Sequence, residues 1–209
     1  MSTVVDACEY RMAKRSGKQK PTTKPLRDAA GTRARILEAA KLRFCQRSYE
    51  QVGVREIAAD ANVDAALVNR YFGTKEELFA EISKGVFNAD DFIEGPLNRI
   101  GEYLAQRVMS GPQRVKEGAD PFEFLLRSAA SPTASPIIAA RLHKDFVLKL
   151  AALIGGQQAA TRAALIASYI IGFLTVRIAL QSPAVLPVHA AKVVALLGSA
   201  IQAAIDDPG

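Results

Sequence analysis

The stretch from Val63 to Phe79 reads VDAALVNRYFGTKEELF. Asn62 and Val63 suit a turn, and Asp64 carries the short acceptor side chain that caps a helix N-terminus. A helix is therefore predicted over Ala65–Phe72. Gly73 follows at the position past a helix end where glycine alone is free of steric cost. Thr74 and Glu77 then have the spacing of a capping box and start another helix. Val68 and Phe72 are four residues apart, so they share a face, predicted to meet Ile57, Phe44 and Leu78, with Tyr71 beside them. The opposite face presents Ala65, Ala66, Asn69 and Arg70, small at its leading end and polar at its trailing end.

Upstream, Val54 to Ala61 reads as a short helix with Ile57, Ala58 and Ala61 on one side. Two such helices joined by a three-residue turn form a helix-turn-helix, whose second helix enters a DNA major groove. Asparagine can pair with adenine and arginine with guanine or phosphate. Lys75 sits in the first turn of the following helix, where free amides favour a phosphate. Thr32 is a candidate cap for the first helix, predicted over Arg33–Gln46 with Ile36, Leu37, Ala40 and Phe44 on one face. Taken alone, the same pattern also describes a plain three-helix bundle with a polar outer face.

Charge points the same way. Residues 1–84 carry 16 basic and 11 acidic side chains, whereas residues 85–209 carry 11 and 10. The net charge of +6 is thus concentrated in the first part of the chain, as expected where a polyanion is bound. Residues 1–31 read as a disordered basic arm. Seven basic residues and no acid lie between Arg11 and Arg27, so the arm suits phosphate neutralisation, or serves as a solubilising tail.

Residues 32–80, TRARILEAAKLRFCQRSYEQVGVREIAADANVDAALVNRYFGTKEELFA, resemble the N-terminal DNA-binding domain of the TetR family of bacterial transcriptional regulators. RILEAAKLRF resembles the family's first helix, VREIAADANV its second helix and turn, and RYFGTKEEL the end of its recognition helix and the start of the fourth. The resemblance implies an N-terminal three-helix DNA-binding domain followed by a helical effector-binding and dimerisation domain, 81–209. It implies DNA contacts from Arg55 in the second helix, from Ala65, Ala66 and Leu67 in the leading turn of the recognition helix, from Tyr71, and from Lys75 to phosphate. With Asp64, Asn69, Arg70 and Thr74 these complete the candidate DNA-binding set. Asn69 stands where the family often has a tyrosine, and Val52-Gly53 where it often has a hydroxyl residue.

The remainder alternates apolar helical stretches, at roughly 90–109, 120–130, 135–154, 157–181 and 187–206, with Gly/Pro breaks. No long alternating strand pattern occurs, so the fold is predicted all-α with about nine helices. Ala163 to Val176 holds 14 uncharged residues; a membrane span takes about 20, so a buried helix is expected. The last two helices are apolar nearly all round. Leu165, Tyr169, Phe173 and Val176 make one stripe, and Val193, Leu197, Ala200, Ile201 and Ala204 another. Gly172, Gly198 and Ser199 allow close approach of a neighbouring helix. These features predict a homodimer through the last two helices, its recognition helices in successive major grooves of a palindromic operator; the other outcome is that both helices form the monomer's own core.

The middle helices would hold a small, largely apolar effector, with Tyr103, Phe122, Leu125, Phe146, Tyr169 and Phe173 as candidate lining and His143 and Arg177 as polar anchors. A regulator controlled by protein contacts, with no small-molecule effector, is the alternative. Catalytic motifs are missing: IGGQQ at 154–158 lacks the P-loop lysine, and no nucleophile–base pattern or metal-ligand or cofactor spacing appears. Cys8 and Cys45 make no disulfide framework, and residues 1–20 have no secretory apolar segment, so a cytoplasmic, non-membrane protein is expected.

Overall fold

A computed structural model of the chain describes residues 25–91, 93, 95–110 and 120–208. The described residues are helical with no strands, as expected. Residues 1–24 of the basic arm lie outside them.

Helix α1 (Pro25–Gln46) starts earlier than predicted. Proline is tolerated at a first helical position, where no amide partner is needed. Thr32 is consequently not a cap but a buried residue inside α1, its hydroxyl accepting from Arg35. A single 3-10 turn, Tyr49–Gln51, leads to α2 (Val54–Asp60), α3 (Ala65–Phe72) and α4 (Lys75–Ile82). Ile36, Ala40, Phe44, Ile57, Val68, Leu78 and Phe79 are buried together between these helices. Arg43 of α1 binds both Asp60, through two nitrogens, and Glu56 of α2, which Arg47 also reaches.

The second half begins with α5 (Ile100–Ser110), shorter than predicted because Gly95-Pro96 interrupts the segment and only a 3-10 turn, Leu97–Arg99, precedes the helix. Next come α6 (Pro121–Ala129), capped by Asp120, and α7 (Ala134–Leu142). α7 runs on through a π turn, His143–Val147, into α8 (Leu148–Ile154), forming one rod. Helix α9 (Ala159–Leu174) likewise ends in a π turn, Thr175–Ala179, where the Leu180 amide reaches back to the Thr175 carbonyl at 2.9 Å. α10 (Ala190–Asp206) closes the fold.

Helices α5 and α10 pack at very close range. A Cβ on Gly101 would lie 2.3 Å from the Gly198 carbonyl. Gln202 crosses the same contact, accepting from the Gly101 amide at 3.0 Å. Gly198, expected to allow close approach of a neighbouring helix, thus meets α5 of its own chain. At the far end of α10, buried Arg162 of α9 donates to the carbonyls of Gly155, Gln157 and Ile205, tying three chain segments together.

Among the described residues, only one side of the last two helices is covered. Leu165 and Tyr169 of α9, Val176 of the π turn after it and Leu196 of α10 are exposed by 46 %, 38 %, 38 % and 60 %. The segments Ala159–Ala179 and Pro187–Asp206 are each long and apolar enough to cross a membrane by length and composition, with less than a quarter of either buried. The buried helix expected from Ala163–Val176 is therefore half-covered: its inner face, with Ala163, Ile166 and Ala167, packs on the chain, and its outer face has no neighbour among the described residues.

Candidate nucleic-acid interface

Helix α3 is fixed at both ends by its own sequence. The Asp64 carboxylate accepts from the Ala66 amide at 2.7 Å. The turn before it closes through Asn62, which takes a left-handed φ of 53° that asparagine tolerates. The Val63 amide then reaches back to the Ala58 carbonyl at 2.9 Å. At the other end Gly73 has φ 77°, and a Cβ there would strike the Glu77 carboxylate. That carboxylate is occupied in the capping box: Glu77 accepts from the Thr74 amide at 2.7 Å, and the Thr74 hydroxyl accepts from the Glu77 amide at 3.2 Å. Gly53 starts α2 in half of such a box, its amide donating to Glu56 at 3.0 Å.

Val68 and Phe72 are buried against Ile57, Phe44 and Leu78, as the spacing requires. Ala66, Asn69 and Arg70 are exposed, as is Arg55 in the first turn of α2, while Leu67 is half-buried. Ala65 and Tyr71 lean inward and pack against the core, so the outward face is narrower than the sequence pattern drew it. Lys75 is half-buried rather than free. Its ammonium donates to the Tyr49 carbonyl at 2.6 Å and lies 4.1 Å from the centre of the Tyr49 ring. Burial pulls its pKa down, against the nearby charges of Glu50 and Glu76. Tyr49 escaped the sequence reading because SYEQVG has no helical periodicity; the one usable signal was an aromatic residue in an otherwise polar loop.

The geometry is a rigid short helix with small and hydrogen-bonding side chains outward, braced by α1 and α4. Residues 36–82 match the family model for bacterial regulatory proteins of the tetR family, and residues 98–205 match the tetracyclin repressor-like C-terminal domain. This chain belongs to the TetR family. It is thereby grouped with transcriptional regulators and not with enzymes, and TetR-family regulators bind DNA.

Among curated relatives of this TetR-family chain is the HTH-type transcriptional repressor SCO4008 of Streptomyces coelicolor, 34 % identical over 87 residues, or 38 % of this chain and 45 % of that one. The HTH-type transcriptional repressor Rv3405c of Mycobacterium tuberculosis is 33 % identical over 88 residues, 37 % of this chain and 47 % of that one. The chain spans about half the length of the curated relatives it matches. Among solved structures, the TetR-family regulator SCO0857 of Streptomyces coelicolor is 27 % identical, with 91 % of this chain and all of that one covered at a TM-score of 0.58. A TetR-family regulator from Rhodococcus sp. shares the fold at 15 % identity, covering 85 % of this chain and 100 % of that one at a TM-score of 0.61.

The residues expected around an effector differ in their exposure within this TetR-family chain. Phe122 and Phe146 are buried, Leu125 packs against the main core, and Tyr103 and Phe173 are half-buried. His143 is at the surface, and Tyr169 lies on the uncovered face of α9. His143 continues the outward side of α7, three and four residues beyond exposed Ala140 and Ala139. Arg177 is half-buried and already engaged, its guanidinium donating to the Val108 carbonyl at the end of α5. Among the described residues no group of three or more His, Cys, Asp or Glu side chains has the arrangement of a metal site.

Proposed function

We propose that this TetR-family chain is a cytoplasmic transcriptional repressor that binds a palindromic operator as a homodimer and is released by a small, largely apolar effector. Residues 32–80 read the DNA, the basic residues before them add phosphate contacts, and residues 81–209 dimerise and hold the effector. The observation that carries DNA reading is the outward face of α3, where Ala66, Asn69 and Arg70 stand exposed on a helix capped at both ends. Arg55, Asp64, Ala65, Leu67, Tyr71, Thr74 and Lys75 surround that face and complete the contact surface.

The bare stripe of Leu165, Tyr169, Val176 and Leu196 supports the dimer, because a second copy laid on it removes these side chains from water. The aromatic residues of α5, α6 and the rod support the apolar effector. Such a ligand acts only if it binds the DNA-free form more tightly, by the factor through which operator affinity falls.

Selection of duplexes from a random library at near-physiological salt, with sedimentation of the free protein, tests the reading. A recovered palindrome and a dimer are expected. A monomer in solution, or recovery of no motif, overturns it. In the selected site Asn69→Ala and Arg70→Ala should each lose about 1–3 kcal/mol of binding if they touch bases, and Lys75→Ala should weaken all sequences alike and flatten the salt slope by about one unit.

A further inference from the structure

The seat of Lys75 has a purpose that burial alone does not explain. A lysine in the first turn of an exposed helix would ordinarily extend into water, where its stem is free to rotate. Here the ammonium is drawn 26 residues back along the chain to the 3-10 turn Tyr49–Gln51. One of its three N–H groups goes to the Tyr49 carbonyl and its charge sits over the Tyr49 ring, which leaves two N–H groups for another acceptor.

The seat is itself immobilised. Tyr49 is buried, stacked on Phe44 at 5.7 Å and edge-on to Phe79 at 5.1 Å. Its phenol donates to Glu76, the residue after Lys75, at 2.9 Å. Glu50, next along the turn, accepts from the Ser131 hydroxyl in the connection between α6 and α7. One oxygen of Glu50 is thus held by Ser131, and the turn is anchored to the second half of the chain.

We propose that Tyr49 is the positioning residue for the phosphate contact of Lys75: its carbonyl and ring hold the ammonium in place before DNA arrives, and Phe44 and Phe79 hold the ring. The proposal rests on the reading of Lys75 as a phosphate contact. Pre-ordering removes rotamer freedom that phosphate binding would otherwise have to freeze.

Affinity for a mixed-sequence duplex, measured by fluorescence anisotropy, tests this in four full-length proteins: wild type, Tyr49→Leu, Lys75→Ala and the double variant. Tyr49→Leu should weaken binding about threefold to tenfold when Lys75 is present, and within about twofold of nothing when it is absent. Tyr49→Phe keeps ring and carbonyl and should bind within about twofold of wild type. A merely structural tyrosine would weaken both backgrounds equally, and that result overturns the proposal. If Lys75→Ala leaves affinity and salt slope unchanged, the phosphate reading of Lys75 itself has failed. Should Tyr49→Leu not fold, the 15N–1H signal of the Lys75 ammonium in wild type decides. A seated ammonium exchanges more slowly than that of exposed Lys192, and equal exchange refutes the seat.

Discussion

Phe79 and Phe124 stack with ring centroids 5.2 Å apart and planes inclined by 19°. One ring comes from α4 and the other from α6, and both are fully buried. Arg141 of α7 adds a hydrogen bond to the Ala80 carbonyl, 3.3 Å away. The DNA-reading helices and the helices that follow therefore share one core. Phe124→Ala should lower stability by about 3–5 kcal/mol, the usual loss for a buried aromatic ring. In a denaturant titration both wild type and variant should unfold in one transition; two separate transitions in wild type would contradict a shared core.

The crossing of α5 and α10 ranks two glycines. A Cβ at Gly101 meets the Gly198 carbonyl at 2.3 Å and the Gln202 amide at 2.7 Å, whereas one at Gly198 meets the Glu102 Cα at 3.1 Å. Alanine gains up to about 1 kcal/mol over glycine in a helix. That gain should roughly offset the mild crowding at Gly198. At Gly101 backbone must move, and overpacking costs about 1–3 kcal/mol. Thermal melts should place Gly101→Ala clearly below Gly198→Ala, and the reverse order would show that the helices are not in this register.

Acid should loosen α2 from α1. The Arg43 hydrogen bond holds Asp60 below its ordinary carboxylate value, and the Gly53 amide, then the charges of Arg43 and Arg47, do the same for Glu56. A carboxylate depressed in the folded state stabilises it above the unfolded pKa, about 3.9–4.3 here, and that contribution disappears as pH falls through the lower folded value. Melting temperature should accordingly fall below about pH 4. Arg43→Met should flatten that fall, and added salt should shrink it because the groups are exposed. An identical pH profile in the variant would remove Arg43 from the account.

Cys45 should be a slow thiol. Burial first, and then the charge of Glu123, push its pKa up to about 11. Only the thiolate reacts, so peptide-resolved alkylation at about pH 8 should be slow in the native protein and accelerate on denaturation. Equal rates in both states would show that the side chain is not packed against the core as it stands here.

The reading head was legible because its instructions are local. Asp64, Gly73, Thr74 and Glu77 each act within four residues, and the spacing of Val68 and Phe72 sets the face. What escaped depends on distant pairs. Lys75 and Tyr49 are 26 residues apart and Phe79 and Phe124 are 45 apart, with no periodicity linking either pair. Small residues in α10 announce a close helix approach but not its partner, which for Gly198 is Gly101. Thr32 has the chemistry of a cap, yet the helix had already begun at Pro25. His143 and Tyr169 were placed by residue type alone, and both lie at the surface.

The π turns bear on how this bundle tolerates change in length. Deleting one residue from an α-helix rotates everything beyond it by about 100°. In the rod from Ala134 to Ile154 that would swing Leu150 out of the core, where it is fully buried. A π turn carries one residue more than the α turn it replaces. A deletion within His143–Val147 can relax the turn to α geometry while Leu150 keeps its direction. That turn is slack in the register of the bundle, a place where one residue can be lost while the same faces stay turned to their neighbours.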